Sequence, residues 1–334
     1  MTHKSAPGAG AECYDGSVGV LVHFTQVYQT RGRHRRRQLW GRCFFFAGAR
    51  IARVSAEMSA PDARVSVQSG TARESLLRIL GDLVYPSGQQ VPSRALITVL
   101  ADVGYGEQAA RQAIARCARL GIIAGERTGR YARWSLTPRG QRLLEDGNKR
   151  ARQLGTEPPE WRGEWLAVFV SVPHERRALR LSLYRALRWS GCGMPEPGLW
   201  ISAHPDRADQ VRDIMQRNGL QSSTISFVGR AGNVGPTDLE LVNRAWDMAA
   251  VAHDYRDALS RLDTSSTSVR GPVALRSLLQ VDAILQDMVS RDPWLPETLC
   301  PHWPGRAHAA ALVAFRDELL VPARAYWDEL LPLS

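Results

Sequence analysis

The stretch Glu107–Leu136 reads EQAARQAIARCARLGIIAGERTGRYARWSL, and its two halves carry different periods. In the first half, Ala110, Ala113, Ile114 and Cys117 recur at the spacing that puts them on one side of a helix. Gln108, Arg111, Gln112, Arg116 and Arg119 fall on the opposite side, around the small Ala115. In the second half, Ile122–Ala124 and Tyr131–Leu136 are short strand patterns, the latter alternating with Ala132, Trp134 and Leu136 on its inward side. Between them Gly125–Arg130 is basic, short and bounded by glycines, as a β-hairpin connection requires.

Working outward from this stretch adds two helices before it and one after. Thr71-Ala-Arg-Glu74 fits a capping box, in which hydroxyl and carboxylate satisfy each other's backbone amides at a helix start. Leu76, Leu77, Leu80, Leu83 and Val84 follow at helical spacing until Pro86-Ser-Gly88. Pro92-Ser93 opens a second helix with Leu96, Ile97, Val99 and Leu100, and Gly104-Tyr-Gly106 makes a short turn into the third. Thr137-Pro-Arg-Gly140 caps a further helix, its proline tolerated in the first turn. Three helices and a hairpin predict a winged helix-turn-helix, whose third helix enters the DNA major groove. There Arg pairs bidentately with guanine and Gln with adenine. On this reading Arg127, Arg130 and Tyr131 sit at the wing, within reach of phosphates or the minor groove. The competing reading of the same Arg/Gln stripe is a solvated helix face.

The charge distribution favours DNA. The 334 residues carry a formal net charge of +10. Residues 71–150 hold 13 basic and 7 acidic side chains, whereas residues 151–334 hold 20 and 22. The rest of the excess lies in residues 1–57, with 9 against 3. That segment contains the run RGRHRRR at Arg31–Arg37 followed by an apolar stretch to Ala49. Arg42 and Arg50 interrupt the apolar stretch, and it begins too late for an export signal. Residues 1–70 are expected to be a disordered or non-native N-terminal extension, with Met58 as an alternative start; a basic tail gripping nucleic acid is the other reading. Five scattered cysteines without a C-x-x-C pair argue against a disulfide framework or zinc site, and for a reducing cytoplasm. No stretch approaches the roughly 20 apolar residues of a membrane-spanning helix.

The neutral remainder predicts two more domains. After a Pro-containing linker at Gly155–Glu164, a strand at Trp165–Val172, a helix at His174–Ser190 and two strands joined at Pro195–Gly198 follow in turn. A helix at Pro205–Asn218 and a strand at Ser223–Val228 complete a β-α-β-β-α-β order, that of a ferredoxin-like sandwich. Beyond Gly235 the pattern is helical. One long helix is expected to align Leu239, Val242, Trp246, Ala249 and His253; a helix at Pro272–Ser290 and a final one ending near Leu330 would complete a small bundle. The fold class is therefore α+β, with domains at 71–154, 160–232 and 235–334.

Four stretches carry a family resemblance: SLLRILGDLVYPSG at Ser75–Gly88, RYARWSLTPRG at Arg130–Gly140, LRWSGCGMPEPGLWIS at Leu187–Ser202, and RDPWLPETLCPHWPGRA at Arg291–Ala307. Together they resemble the PaaX family of bacterial transcriptional repressors over roughly residues 73–330. The resemblance implies a winged-helix domain, a central domain similar to the Cas2 fold and a helical C-terminal domain. It further implies a cytoplasmic, nucleoid-associated homodimer that controls an aromatic-acid catabolic operon. Its partners would be double-stranded operator DNA and an aryl-CoA thioester such as phenylacetyl-CoA, which releases the DNA.

Enzymatic readings fare less well. A Cas2-like metal-dependent nuclease, the alternative function, needs a carboxylate at the end of the first sheet strand to hold a hard cation. Ser171 stands there. No H-E-x-x-H, nucleophile elbow, Rossmann or P-loop spacing occurs, so no catalytic residue, metal or cofactor is expected. An effector with phosphates and an acyl group needs Arg and an apolar slot. Arg176, Arg177, Trp200, His204, Trp294, Trp303 and Arg306 are the candidates, each with core packing or ion pairing as its competing role.

Overall fold

A computed structural model describes residues 70–85, 87–128, 131–232, 234–262 and 269–332, with only the backbone of Arg127, Thr128 and Tyr131. The segment 1–57 and Arg130 fall outside the described residues.

The first part consists of α1 (Ala72–Ile79), β1 (Val91–Pro92), α2 (Ser93–Asp102), α3 (Glu107–Arg119), β2 (Ile123–Thr128), β3 (Tyr131–Leu136) and α4 (Pro138–Gln153). Thr71 and Glu74 form the capping box at α1, and Thr137 caps α4 through the Gly140 amide. A Cβ at Gly140 would lie 2.1 Å from the Ile122 carbonyl oxygen, so only glycine lets α4 begin this close to β2. Leu76, Ile79, Leu80, Leu96 and Leu100 are wholly buried. Burying each such side chain contributes about 1.5–3 kcal/mol relative to leaving it in water. Two features escape the sequence pattern. The last turn of the first helix, Leu80–Val84, is π-helical, which turns Gly81 and Asp82 into the interior alongside the leucines. Val91–Pro92 adds a short third strand beside β3.

The central part runs β4 (Trp165–Val170), α5 (Arg177–Trp189), β5 (Gly193–Glu196), β6 (Leu199–Ser202), α6 (Ala208–Arg217), β7 (Thr224–Gly229). The sheet order is β5-β6-β4-β7 with antiparallel neighbours throughout, the connectivity of a β-α-β-β-α-β sandwich. Leu166, Val168, Val170 and Trp200 face a core shared with Leu183 and Leu187 of α5 and Val211 and Ile214 of α6. On another core, Trp165 and Ile201 meet Val242, Leu295 and Leu299.

The last part contains α7 (Asp238–Ala245), α8 (Met248–Arg261), α9 (Gly271–Val289) and α10 (Gly305–Leu330). The single helix expected across Leu239–His253 is broken at Trp246, which is extended (φ −139°, ψ 146°). The break has a packing cause: the Trp246 ring lies where a Cβ on Gly193 would be, 2.4 Å away, and also stacks on Trp165. Asp247 then recaps the chain, and the new phase buries Val251, Ala252 and Tyr255 while His253 becomes exposed. Leu275, Leu279, Trp327 and Leu330 of α9 and α10 belong to the same hydrophobic cluster as the α1–α3 leucines. The first and last parts of the chain therefore share a core.

Candidate nucleic-acid interface

Helix α3 divides as its sequence dictates. Ala110, Ala113, Ile114 and Cys117 are buried, whereas Gln108, Arg111, Gln112, Ala115, Arg116 and Arg119 are exposed. Gly106 introduces the helix in an extended conformation, and Tyr105 anchors the preceding turn by donating to the Gly70 carbonyl at 2.9 Å. Arg111 pairs with Glu107 one turn earlier, at 2.6 Å, with both side chains largely in solvent. Such exposed i,i+4 pairs contribute only about 0.3–0.5 kcal/mol, so the guanidinium exchanges partners at little cost. Gln112, Arg116 and Arg119 line an open groove against Thr71–Glu74 at the start of α1.

The hairpin beside α3 is held from its base. Trp134 donates its indole N–H to Ser93 Oγ at 2.8 Å, and that hydroxyl donates to the Ala132 carbonyl at 3.1 Å. β2 and β3 pair through Thr128 and Tyr131, which leaves a two-residue connection. Arg127 and Tyr131 thus belong to the strands flanking that connection, with their side chains outside the description, as is all of Arg130.

The structure places the seven effector candidates in different settings. Arg176 and Arg177 are exposed at the start of α5. Trp200 is fully buried, edge-on to Tyr184 with ring centroids 5.0 Å apart. Trp303 donates to the Met248 carbonyl at 2.9 Å, and Arg306 donates to the carbonyls of Cys300 and Leu295 and pairs with Glu297. These last contacts brace the connection between α9 and α10. His204 and Trp294 are brought together, stacked with centroids 5.3 Å apart, the imidazole Nε2–H donating to the Trp294 carbonyl at 2.9 Å. Trp294 adopts a left-handed conformation (φ 59°), held by its amide donating to Asp292 and its indole donating to Thr156.

Burial, reinforced by the Arg207 guanidinium, lowers the His204 pKa from 6.5 to about 4, against the opposing hydrogen bond to Trp294. The unfolded chain takes up this proton below about pH 6.5, whereas the folded chain refuses it until about 4. Stability from this residue is therefore complete above pH 6.5 and falls as the pH drops through that window. At pH 5 the expected loss is about 2 kcal/mol. Urea midpoints at pH 7.5 and 5.0 check this: His204→Gln should flatten the difference relative to the parent protein.

The sequence pattern gave no sign of an ion cluster between the parts. Arg316 of α10 binds Asp82 of the π-helical turn and Asp282 of α9, all three nearly inaccessible to water. Asp82 faces inward only because of the π turn, which no residue spacing announced. Ser171 follows β4 as an exposed residue, and among the described residues no three His, Cys, Asp or Glu side chains group as metal ligands.

Comparisons with known proteins cover most of the described chain. Residues 71–140 match the model of the PaaX-like protein family, and residues 158–241 match that of the PaaX protein central Cas2-like domain. The chain is 25% identical over 275 residues to the transcriptional repressor PaaX of Escherichia coli (strain K12), covering 78% of this chain and 84% of that one. The uncharacterized protein Rv0674 from Mycobacterium tuberculosis shares the fold, with a TM-score of 0.51 at 20% identity over 78% of this chain and 98% of the other. Among the described residues no helix is long and apolar enough to cross a membrane.

Proposed function

Because the chain belongs to the PaaX family of transcriptional repressors, which are regulators and not enzymes, we propose that it represses transcription by binding a palindromic operator as a homodimer. The observation that carries this reading is the α3 stripe: five Arg and Gln side chains exposed together on a helix whose other side is sealed into the core. On this reading α1–α3 with the β2–β3 hairpin form a winged helix. Helix α3 lies in the major groove, Arg111 and Gln112 read base edges, and Arg127, Arg130 and Tyr131 meet the sugar–phosphate backbone. The site of action is the cytoplasmic nucleoid. An aryl-CoA thioester such as phenylacetyl-CoA releases the operator by binding the DNA-incompetent state more tightly. A swing from 1:99 to 99:1 takes about 5.5 kcal/mol of differential affinity.

Gel shifts with the cognate operator and with unrelated DNA test the assignment. Arg111→Ala and Gln112→Ala should each cost about 1–3 kcal/mol on the operator and little on unrelated DNA. Arg127→Ala and Arg130→Ala should weaken binding to both and reduce the salt slope by about one. Unchanged shifts in all four variants would remove the winged-helix reading.

A further inference from the structure

Helix α5 carries a charge pattern that stands apart from the chain around it. Residues 151–334 hold 20 basic and 22 acidic side chains, yet Arg176–Arg188 alone holds five arginines and no Asp or Glu. The inner side of the helix, with Leu183 and Leu187, is sealed against the central sheet. On the outer side Arg177, Leu181, Arg185 and Arg188 are exposed and fall within about 80° of one another at 3.6 residues per turn. The guanidiniums of Arg177, Arg185 and Arg188 have no ion-pair or hydrogen-bond partner among the described residues. Helix α6, which covers the same core, interleaves its signs instead. There Asp209 pairs with Arg212 at 2.6 Å, and Arg217 follows Asp213 by one turn.

The electrostatics of α5 itself oppose this arrangement. The helix begins at Arg176 and Arg177 with no acidic residue in its first turn and no side-chain cap. Its free amides there form the positive end of the helix dipole, which favours carboxylates and repels guanidiniums. Arg177 with Arg180, and Arg185 with Arg188, then set like charges one turn apart. Neither cost serves packing, because the core residues lie on the other side of the helix. Both are relieved when a polyanion lies along the outer face, where the N-terminal amides and the guanidiniums attract it together.

We propose that the outer face of α5 is a second contact surface for duplex DNA, holding the sugar–phosphate backbone through Arg177, Arg185 and Arg188 without reading bases. From Arg177 to Arg188 the helix rises about 17 Å, a length over which duplex DNA carries about ten phosphate charges. A straight row of unpaired guanidiniums suits such an evenly charged cylinder. Leu181 is the one large apolar side chain exposed in the row, too little to insert into a lipid surface. That this DNA flanks the operator met by α3 rests on the repressor reading, whereas the surface itself does not.

The test uses the full chain carrying Arg177→Gln, Arg185→Gln and Arg188→Gln together, with fluorescence anisotropy on operator and unrelated duplexes over a salt series. The variant should keep or raise its melting temperature, since it loses only exposed, mutually repelling charges. Its affinity for both duplexes should fall by roughly tenfold or more, its salt slope should drop by about two to three, and the ratio between the two duplexes should hold. A control with Arg212→Gln, Arg217→Gln and Arg256→Gln removes the same charge from other exposed positions. At physiological salt it should change affinity less than about twofold, because charges farther than a Debye length from the DNA are screened. Undiminished affinity and slope in the α5 variant overturn the surface, as does an equal loss in the control, which would reduce the effect to net charge. Binding to polyglutamate or to phosphatidylserine vesicles that the α5 variant abolishes, with DNA binding intact, gives the face to another polyanion and overturns the proposal. If Arg111→Ala and Gln112→Ala leave operator preference intact while the α5 variant loses affinity and slope, the α5 surface stands and the reading of α3 falls.

Discussion

Trp327→Ala should destabilise the protein by about 3–5 kcal/mol, the range for removing a buried tryptophan from a core that only partly collapses around the gap. That is a large share of a total stability that rarely exceeds about 15 kcal/mol. Trp327 is 2% exposed and stands near the end of α10, yet it packs in the same cluster as Leu76, Leu96 and Ile114. Polar contacts tie the same elements. Tyr326 donates to Asp102 Oδ2 at 2.6 Å, Arg276 donates to the Asp102 carbonyl at 3.0 Å, and Arg324 donates to the Asp82 carbonyl at 2.8 Å. The helices that hold α3 in place thus depend on the C-terminal helix, and operator binding should fall along with stability as temperature rises. Val321→Ala is the matched control, on the same helix but 72% exposed, and should cost less than about 0.5 kcal/mol. Urea unfolding followed alongside gel shifts measures both. If Trp327→Ala left stability intact, the DNA-reading helices would have to hold together without the C-terminal helix.

This dependence marks where sequence reasoning ran out. Helix α3 was legible because a single period sorts its residues between core and solvent, and because Gly106 and the Thr137 cap bound the unit. The central sheet was legible because apolar runs at Trp165–Val170 and Leu199–Ser202 alternate with two amphipathic helices. What periodicity cannot convey is which apolar face meets which. The stripe of α9 that fills the α1–α3 core through Leu275 and Leu279 looks no different from its neighbours Leu278 and Val281, which pack elsewhere. Trp246 illustrates a second limit. It lies in helical phase with Val242, but a ring-sized space over Gly193 and a stacking partner in Trp165 outweigh one more turn of helix. The candidate ligand residues show a third. Trp and Arg signal density of interactions, and in Trp200, Trp303 and Arg306 those interactions are spent on packing and on backbone carbonyls.

Arg316→Ala should cost about 3–5 kcal/mol for a different reason, the stranding of buried charge. The guanidinium is 4% exposed and joins Asp82 on the π-helical turn to Asp282 of α9 at 2.7 Å and to Asp317 at 3.0 Å. Burial and the neighbouring Asp82 charge already hold the Asp282 carboxyl well above the usual carboxylate range, with Arg316 opposing them. Without the guanidinium, that pKa should rise further, so the folded state binds more protons than the unfolded one above about pH 4. Stability of the variant should then fall as pH rises, and its deficit relative to the parent protein should be wider at pH 8 than at pH 5. Arg316→Lys should restore only part of the loss, since a single ammonium cannot present the planar fork that spans two carboxylates. Replacing all three residues together, as Asp82→Leu, Arg316→Met and Asp282→Leu, should be close to neutral or stabilising by about 1–4 kcal/mol, because an apolar trio of similar volume needs no desolvation. Urea midpoints at the two pH values separate the causes. A deficit independent of pH would assign the loss to missing packing around α10, whereas one that widens with pH identifies the two carboxylates left without their cation.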